Sequence, residues 1–180
     1  RAYLQSKRTA EALRLATRLS AENKDDVQLH FSLGGLLASE KQHKAAQLGL
    51  EKADALKPQT FEILFNLGEA SLLGGDNAKA ELALARALKL KPESTETQYL
   101  LAQVYRNESR PLDALDLLVR ANKATPGNPN ILYLMAEISM SQKYYEDAIP
   151  LLEEALKVAP DRSDLLSALG ESYFRSEKIN

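Results

Sequence analysis

At 180 residues, 44% hydrophobic and without cysteine, the chain is long enough for a folded domain and carries neither disulfides nor thiolate metal ligands. Its 23 basic and 25 acidic residues leave a formal charge of -2, and no Lys/Arg run marks a nucleic-acid or membrane footprint. No apolar run approaches the ~18 residues of a membrane span, and no basic stretch followed by an apolar one marks a secretory signal.

The dominant pattern is a period of 34 residues. Proline falls at Pro58, Pro92, Pro126 and Pro160, and alanine at Ala12, Ala46, Ala80, Ala114 and Ala148. A second alanine series runs Ala53, Ala87, Ala121, Ala155, and a small-residue series Gly34, Gly68, Ala102, Ala136, Gly170. A fixed period of this size signifies a stacked array of small helical units, not a globule around a central site. It predicts an all-α fold of about ten helices without strands, arranged as stacked antiparallel pairs in one solenoid domain.

In chain order, residues 1–26 supply positions 9 to 34 of a partial copy, in which Leu19 and Lys24 stand where later copies have Ala and Pro. Because the chain opens inside a repeat, its natural N-terminus is expected further upstream. The copy 27–60 holds both histidines, His30 on the surface of a first helix and His43 in the turn between helices. In 61–94, Leu64, Leu67, Gly68 and Ser71 follow the 3–4 spacing of a buried helical stripe. Gly74-Gly75-Asp76-Asn77 then breaks the helix, offering positive-φ residues and a capping acid. Ala80, Leu84, Ala87 and Leu88 carry the second stripe, Lys89 and Lys91 suit the helix C-terminus, and Pro92 ends it. The copy 95–128 repeats the pattern. In 129–162, Pro150 falls inside a second helix starting near Glu146, and is predicted to bend it slightly or delay its start. Residues 163–180 supply only a first helix, Ser163 to about Ser176. Its core positions Leu166, Leu169 and Tyr173 lack their second helix, and Phe174 and Ile179 add apolar surface.

A glycine inside a helix costs about 1 kcal/mol relative to alanine, so its recurrence at position 8 implies a steric demand. The small residues there let the first helix approach the second, with the position-20 alanines as the matching surface. Larger residues at positions 7 and 24 (Leu67 with Leu84, Leu101 with Leu118, Met135 with Leu152) fill the space beside them.

No constellation carries chemistry. The two histidines have no partners at metal-ligand or triad spacing. Gly34-Gly35 and Gly74-Gly75 fit no phosphate-loop motif, and Glu153-Glu154 point apart on a helix. No catalytic residue, cofactor site or metal site is assigned.

The repeat resembles that of the tetratricopeptide repeat (TPR) family, whose pattern is Trp, Leu, Gly, Tyr, Ala, Phe, Ala and Pro at positions 4, 7, 8, 11, 20, 24, 27 and 32. The second copy reads Leu64, Leu67, Gly68, Ser71, Ala80, Leu84, Ala87, Pro92, and the third Gln98, Leu101, Ala102, Tyr105, Ala114, Leu118, Ala121, Pro126. Position 4 is never Trp. The resemblance implies a right-handed α-solenoid whose first helices line a concave groove through positions 2, 5, 9, 12 and 13. Position 5 is then an aromatic ladder, Phe31, Phe65, Tyr99 and Tyr133, and Glu62, Glu69, Glu96, Gln103, Arg106, Glu137 and Glu171 stand beside it. With Asp164 the groove positions hold six acids against two bases, Arg106 and Arg175. That balance favours a peptide or protein partner bearing basic residues.

The same aromatics could instead pack between neighbouring first helices. The carboxylate clamp of chaperone-tail-binding relatives is missing: its positions hold Phe31, Gly35, Asn66, Glu96 and Leu100, and in the next register Phe65, Glu69, Leu100, Asn130 and Leu134. The leading expectation is a non-catalytic interaction scaffold. Alternatives are a regulatory or substrate-docking region of a larger enzyme, and a self-assembling module pairing through its C-terminal end. An RNA reader would show a basic groove, and this one is acidic.

Overall fold

The computed structural model describes the backbone of residues 2–177 and the side chains of residues 9–177; Ile179 lies outside them. The described residues form ten helices and no strand: α1 Ala2–Glu22, α2 Val27–Ser39, α3 His43–Leu56, α4 Phe61–Leu73, α5 Asn77–Leu90, α6 Thr95–Asn107, α7 Pro111–Ala124, α8 Pro129–Ser141, α9 Tyr145–Val158 and α10 Ser163–Ser176. The chain divides into two compact units, residues 1–91 and 92–180.

One turn geometry recurs in both units. In the loops α2–α3, α4–α5, α6–α7 and α8–α9, Lys41, Gly75, Ser109 and Lys143 take φ values of 58°, 82°, 59° and 67°. The next amide reaches back five residues: Gln42 N to Leu37 O, Asp76 N to Ser71 O, Arg110 N to Tyr105 O and Tyr144 N to Ser139 O, all at 2.8–2.9 Å. This is the Schellman closure of a helix C-terminus. Glycine meets the positive φ without penalty only at Gly75; lysine and serine hold it elsewhere. Asp76 then caps α5 by accepting from Lys79 N at 3.2 Å, as Asp26 caps α2 through Leu29 N at 2.9 Å.

In unit 1, α2 packs on α3 and α4 on α5, with α3 against α4. Leu50, Leu64, Leu84, Ala46, Ala53, Ala80 and Ala87 are fully buried. The close approach at position 8 is real, but the atoms opposite are the position-24 leucines, not the position-20 alanines. A Cβ on Gly34 would lie 2.5 Å from Leu50 Cγ, and one on Gly68 would lie 2.4 Å from Leu84 Cγ. Arg86 clasps Asp54 with two bonds of 2.6 and 2.8 Å between α5 and α3. Ala12 departs from its series. It is exposed, and it lines an apolar cleft with Leu15, Leu19 and Leu36.

In unit 2, α6 packs on α7, α8 on α9, and α9 on α10. Leu118, Leu132, Leu152 and Leu165 fill the core with Ala102, Ala114, Ala121, Ala136, Ala148 and Ala155, all at 0% exposure. Pro150 does not delay α9, which starts in step with the other second helices and has 14 residues as they do. Pro150 is exposed, and α9 continues through it despite the missing amide and the crowding of its ring against the carbonyl four residues back. In α10, Leu166 and Tyr173 are 51% and 44% exposed, and a Cβ on Gly170 would meet no atom within 4 Å.

His30 overturns its expected surface placement: it is fully buried. Its Nε2 lies 3.0 Å from Lys24 O, six residues back. Gln98, at the same repeat position in unit 2, donates from Nε2 to Pro92 O at 2.7 Å, again six residues back. Where position 4 is polar, it staples a first helix to the end of the preceding second helix.

Candidate functional site

The sequence-predicted site residues divide between the first helices of the two units. In unit 1, Phe31 and Phe65 are half-buried rather than free on a surface. Phe31 packs against the core cluster around Leu37 and Leu50, and Phe65 stacks on Phe61 with centroids 5.9 Å apart. Lys91 sits 3.9 Å over the Phe61 ring and also bonds Glu62 Oε1 at 3.1 Å. Its own backbone amide first, and then Lys91, hold the Glu62 carboxyl below its ordinary range. Gly35 and Glu69 are half-buried, and Glu69 has no ion pair among the described residues. Neither aromatic is a bare platform: Phe31 packs on the core, and Phe65 is stacked on Phe61, which Lys91 covers in turn.

In unit 2, Tyr99 and Tyr133 are also half-buried. Arg106 on α6 bonds Glu137 on α8 at 3.0 Å, a cross-link between neighbouring first helices. Burial, and then Glu137, push the Tyr133 phenol up. Arg162 lies 5.6 Å from the Tyr133 ring centroid, bonds Asn130 at 2.7 Å and Asp164 at 2.6 Å, and holds the Asp164 carboxyl below its ordinary range. Glu171 faces Arg175 one turn on, at 3.7 Å. Glu96 is exposed and takes only a 3.4 Å bond from Ser94. Gln103 is half-buried. Between α8 and α10 an open cleft of about 440 Å³ brings Tyr133, Glu137 and Glu171 together with Met140, Tyr145 and Asp164.

The electrostatics differ from those expected of an acid-rich groove. Of six acids, Glu62, Glu137, Asp164 and Glu171 each have a basic partner, and Glu69 and Glu96 have none among the described residues. Lys91 and Arg162, the bases missing from the sequence expectation, come from the end of a copy rather than from a first helix. The signal for them was a cation at the end of a copy: Lys91 at the C-cap of α5, and Arg162 immediately before α10. Tyr145, which completes the cleft wall, opens α9 and so falls outside any first-helix pattern. Among the described residues no His, Asp or Glu cluster could hold a metal ion, and no helix is long and apolar enough to cross a membrane.

No curated protein matches the sequence. Solved structures match its fold. YrrB, a TPR protein with an unusual peptide-binding site, aligns with a TM-score of 0.71 at 20% identity over 90% of this chain and 84% of that one. MamA from Desulfovibrio magneticus RS-1 aligns with a TM-score of 0.78 at 20% identity over 84% and 85%. PilF of Pseudomonas aeruginosa aligns with a TM-score of 0.69 at 18% identity over 87% and 71%. At such identities these likenesses establish the fold, that of an α-helical repeat array. In sequence, a family model for anaphase-promoting complex (cyclosome) subunit 3 matches residues 74–155. The tetratricopeptide repeat family model matches residues 49–95 and 133–178, more than half of the chain. With the paired helices and the recurring turn, that match identifies the chain as a member of the tetratricopeptide repeat family.

Proposed function

We propose that this chain is a non-catalytic protein-interaction scaffold that takes up a peptide, or a segment of a partner protein, on its first-helix faces. Members of the family typically act as non-catalytic modules that bind peptides or proteins. The observation that carries the reading is the cleft between α8 and α10. Tyr133 and Tyr145 offer aromatic contact area at low entropy cost, and Glu137, Asp164 and Glu171 offer acceptors to backbone amides and basic side chains. The rest of the reading follows the copies 27–60, 61–94, 95–128 and 129–162, each contributing one first helix. On its own first helices unit 1 offers Phe31, Glu62, Phe65 and Glu69, and on its own unit 2 offers Glu96, Tyr99, Gln103 and Arg106. Glu69 and Glu96, which have no basic partner among the described residues, favour a ligand with Lys or Arg near them. The peptide-binding site of YrrB gives this reading a precedent in the same fold. A docking region of a larger enzyme would use the same faces.

The test is selection of peptides on the wild type, followed by calorimetry with Tyr133→Ala and with Glu137→Lys. Truncating a central aromatic anchor is expected to weaken the selected peptides by ~2 kcal/mol, with circular dichroism unchanged. Peptides that all bind both variants as tightly as the wild type would remove this face from consideration.

A second reading, self-association, rests on α10 alone. Gly34 and Gly68 are covered by leucine, whereas Gly170 meets nothing, and Phe174 beside it is 56% exposed. Light scattering on the wild type and on Leu166→Glu tests it; a wild type that stays monomeric at high concentration excludes it.

A further inference from the structure

His30 has both ring nitrogens engaged although the side chain is fully buried. Nε2 lies 3.0 Å from the Lys24 carbonyl oxygen, and Nδ1 lies 3.2 Å from Ser20 Oγ. A carbonyl only accepts, so the proton resides on Nε2 and Nδ1 is the acceptor of the Ser20 hydroxyl. The Ser20 oxygen in turn accepts from Lys52 Nζ at 2.8 Å. The bonds therefore run in one direction, from Lys52 on α3 through Ser20 on α1 to His30 on α2, and on to Lys24 in the α1–α2 turn. We propose that this relay is a proton-sensitive latch, holding α1 against α2 and α3 while His30 is neutral and releasing α1 when His30 is protonated.

The surroundings leave an imidazolium without compensation. A cleft of about 190 Å³ beside the ring is lined by α1, α2 and α3, and the charged residue among its lining is Lys52, a cation. In the α1–α2 turn, Lys24 and Asp25 are exposed, and the Asp26 carboxylate is already engaged with Leu29 N at 2.9 Å. On α1, Glu22 is exposed and faces Arg18 at 3.5 Å. Protonating Nδ1 turns it into a donor. Ser20 must then rotate its own hydrogen away and accept from Lys52 and His30 together, with two cations across one oxygen. Moving Ser20, and with it α1, relieves that arrangement. Stability from the latch is thus present while His30 is neutral and is lost when His30 is protonated.

The chain contains its own control. Gln98 holds the same position in unit 2, is 3% exposed, and makes the matching bond to Pro92 O without titrating. His30→Gln therefore keeps the staple and removes the proton sensitivity. The experiment is amide hydrogen exchange on the full chain at pH 7 and pH 5, corrected for intrinsic rates. Wild-type protection across residues 9–22 is expected to fall about tenfold at pH 5, the equivalent of one such bond, while α8 and α9 change little. His30→Gln should show no such fall, and His43→Gln, which alters the other histidine, should behave as wild type. Equal wild-type protection at both pH values, or the same fall in His30→Gln, overturns the latch. A nitrogen-15 spectrum of the wild type at pH 7 provides a readout independent of the variants: the Nε2–H tautomer is expected, and the Nδ1–H tautomer refutes the relay.

Discussion

Units 1 and 2 are built on one plan and differ in what they place at the position of closest helix approach. Unit 1 puts glycine there and presses a leucine against the bare backbone, Gly34 under Leu50 and Gly68 under Leu84. Unit 2 puts Ala102 and Ala136 there, fully buried, with Leu118 and Leu152 in the corresponding second helices. Their outward faces differ in parallel. In unit 1 Phe31 packs on the core and Phe65 stacks on the Lys91-covered Phe61, whereas in unit 2 Tyr133 borders charge pairs and an open cleft. The repeat thus fixes the position of closest approach within one methyl group and leaves the solvent side free to diverge, which is where binding chemistry can vary without cost to the fold.

The largest expected effect lies at the glycine contact. Leu84→Ala should cost ~2–5 kcal/mol, as deletion of a fully buried leucine does. Gly68→Ala alone should cost ~1–3 kcal/mol, because its Cβ needs space that Leu84 occupies. Placed on Leu84→Ala, the same substitution should instead gain up to ~1 kcal/mol of helix propensity. In unit 2, Ala102→Gly should lose ~1 kcal/mol. Urea unfolding followed by circular dichroism measures all four. Additivity of the two unit 1 changes would show that Gly68 and Leu84 do not touch.

A smaller effect is expected at the turns. Lys41 and Ser109 hold the positive φ that Gly75 holds freely. Lys41→Gly and Ser109→Gly should each stabilise by about 0.5–1 kcal/mol, and Gly75→Ala should destabilise by a similar amount. Thermal midpoints that move the other way would mean the side chains of Lys41 and Ser109 earn their place by contacts.

The smallest effect concerns two carboxyls. Glu62 and Asp164 both titrate below their ordinary ranges, so each adds stability at neutral pH that is lost as pH falls through its folded value. Their leading causes differ: the backbone amide for Glu62, the Arg162 side chain for Asp164. In a carboxyl NMR titration, Arg162→Met should return Asp164 most of the way to its ordinary value. Lys91→Met should return Glu62 only in part. Equal recovery at both sites would contradict the assignment of causes.

Much of the frame was legible in the sequence because helix starts, breaks and buried stripes are local signals. Gly75 and Asp76 announced their turn and cap, and Leu64, Leu67 and Ala80 their burial. What escaped depends on partners distant along the chain. His30 reads as a surface residue until Ser20 and Lys52, ten residues before it and 22 after, are brought to its ring. Ala12 matches its series letter for letter, yet is exposed, because the letter alone does not say what packs on it. The acids of the first helices were counted from the sequence, but two of their four basic partners, Lys91 and Arg162, stand in no first-helix pattern. Position 24, not position 20, meets the glycine, a distinction that spacing alone leaves open because both lie on the same helical face.

The polar ties between helices have one more consequence, and it is kinetic. The staples His30–Lys24 and Gln98–Pro92 close loops of six residues, and the longest side-chain bonds described, Arg86–Asp54, Lys52–Ser20 and Arg162–Asn130, each span 32. Loop-closure entropy grows only with the logarithm of the segment closed, and folding slows as contacts become more distant in sequence. In this molecule the search distance for such ties is set by one copy of the repeat. A chain lengthened by further copies would close each of them no more slowly than this one does.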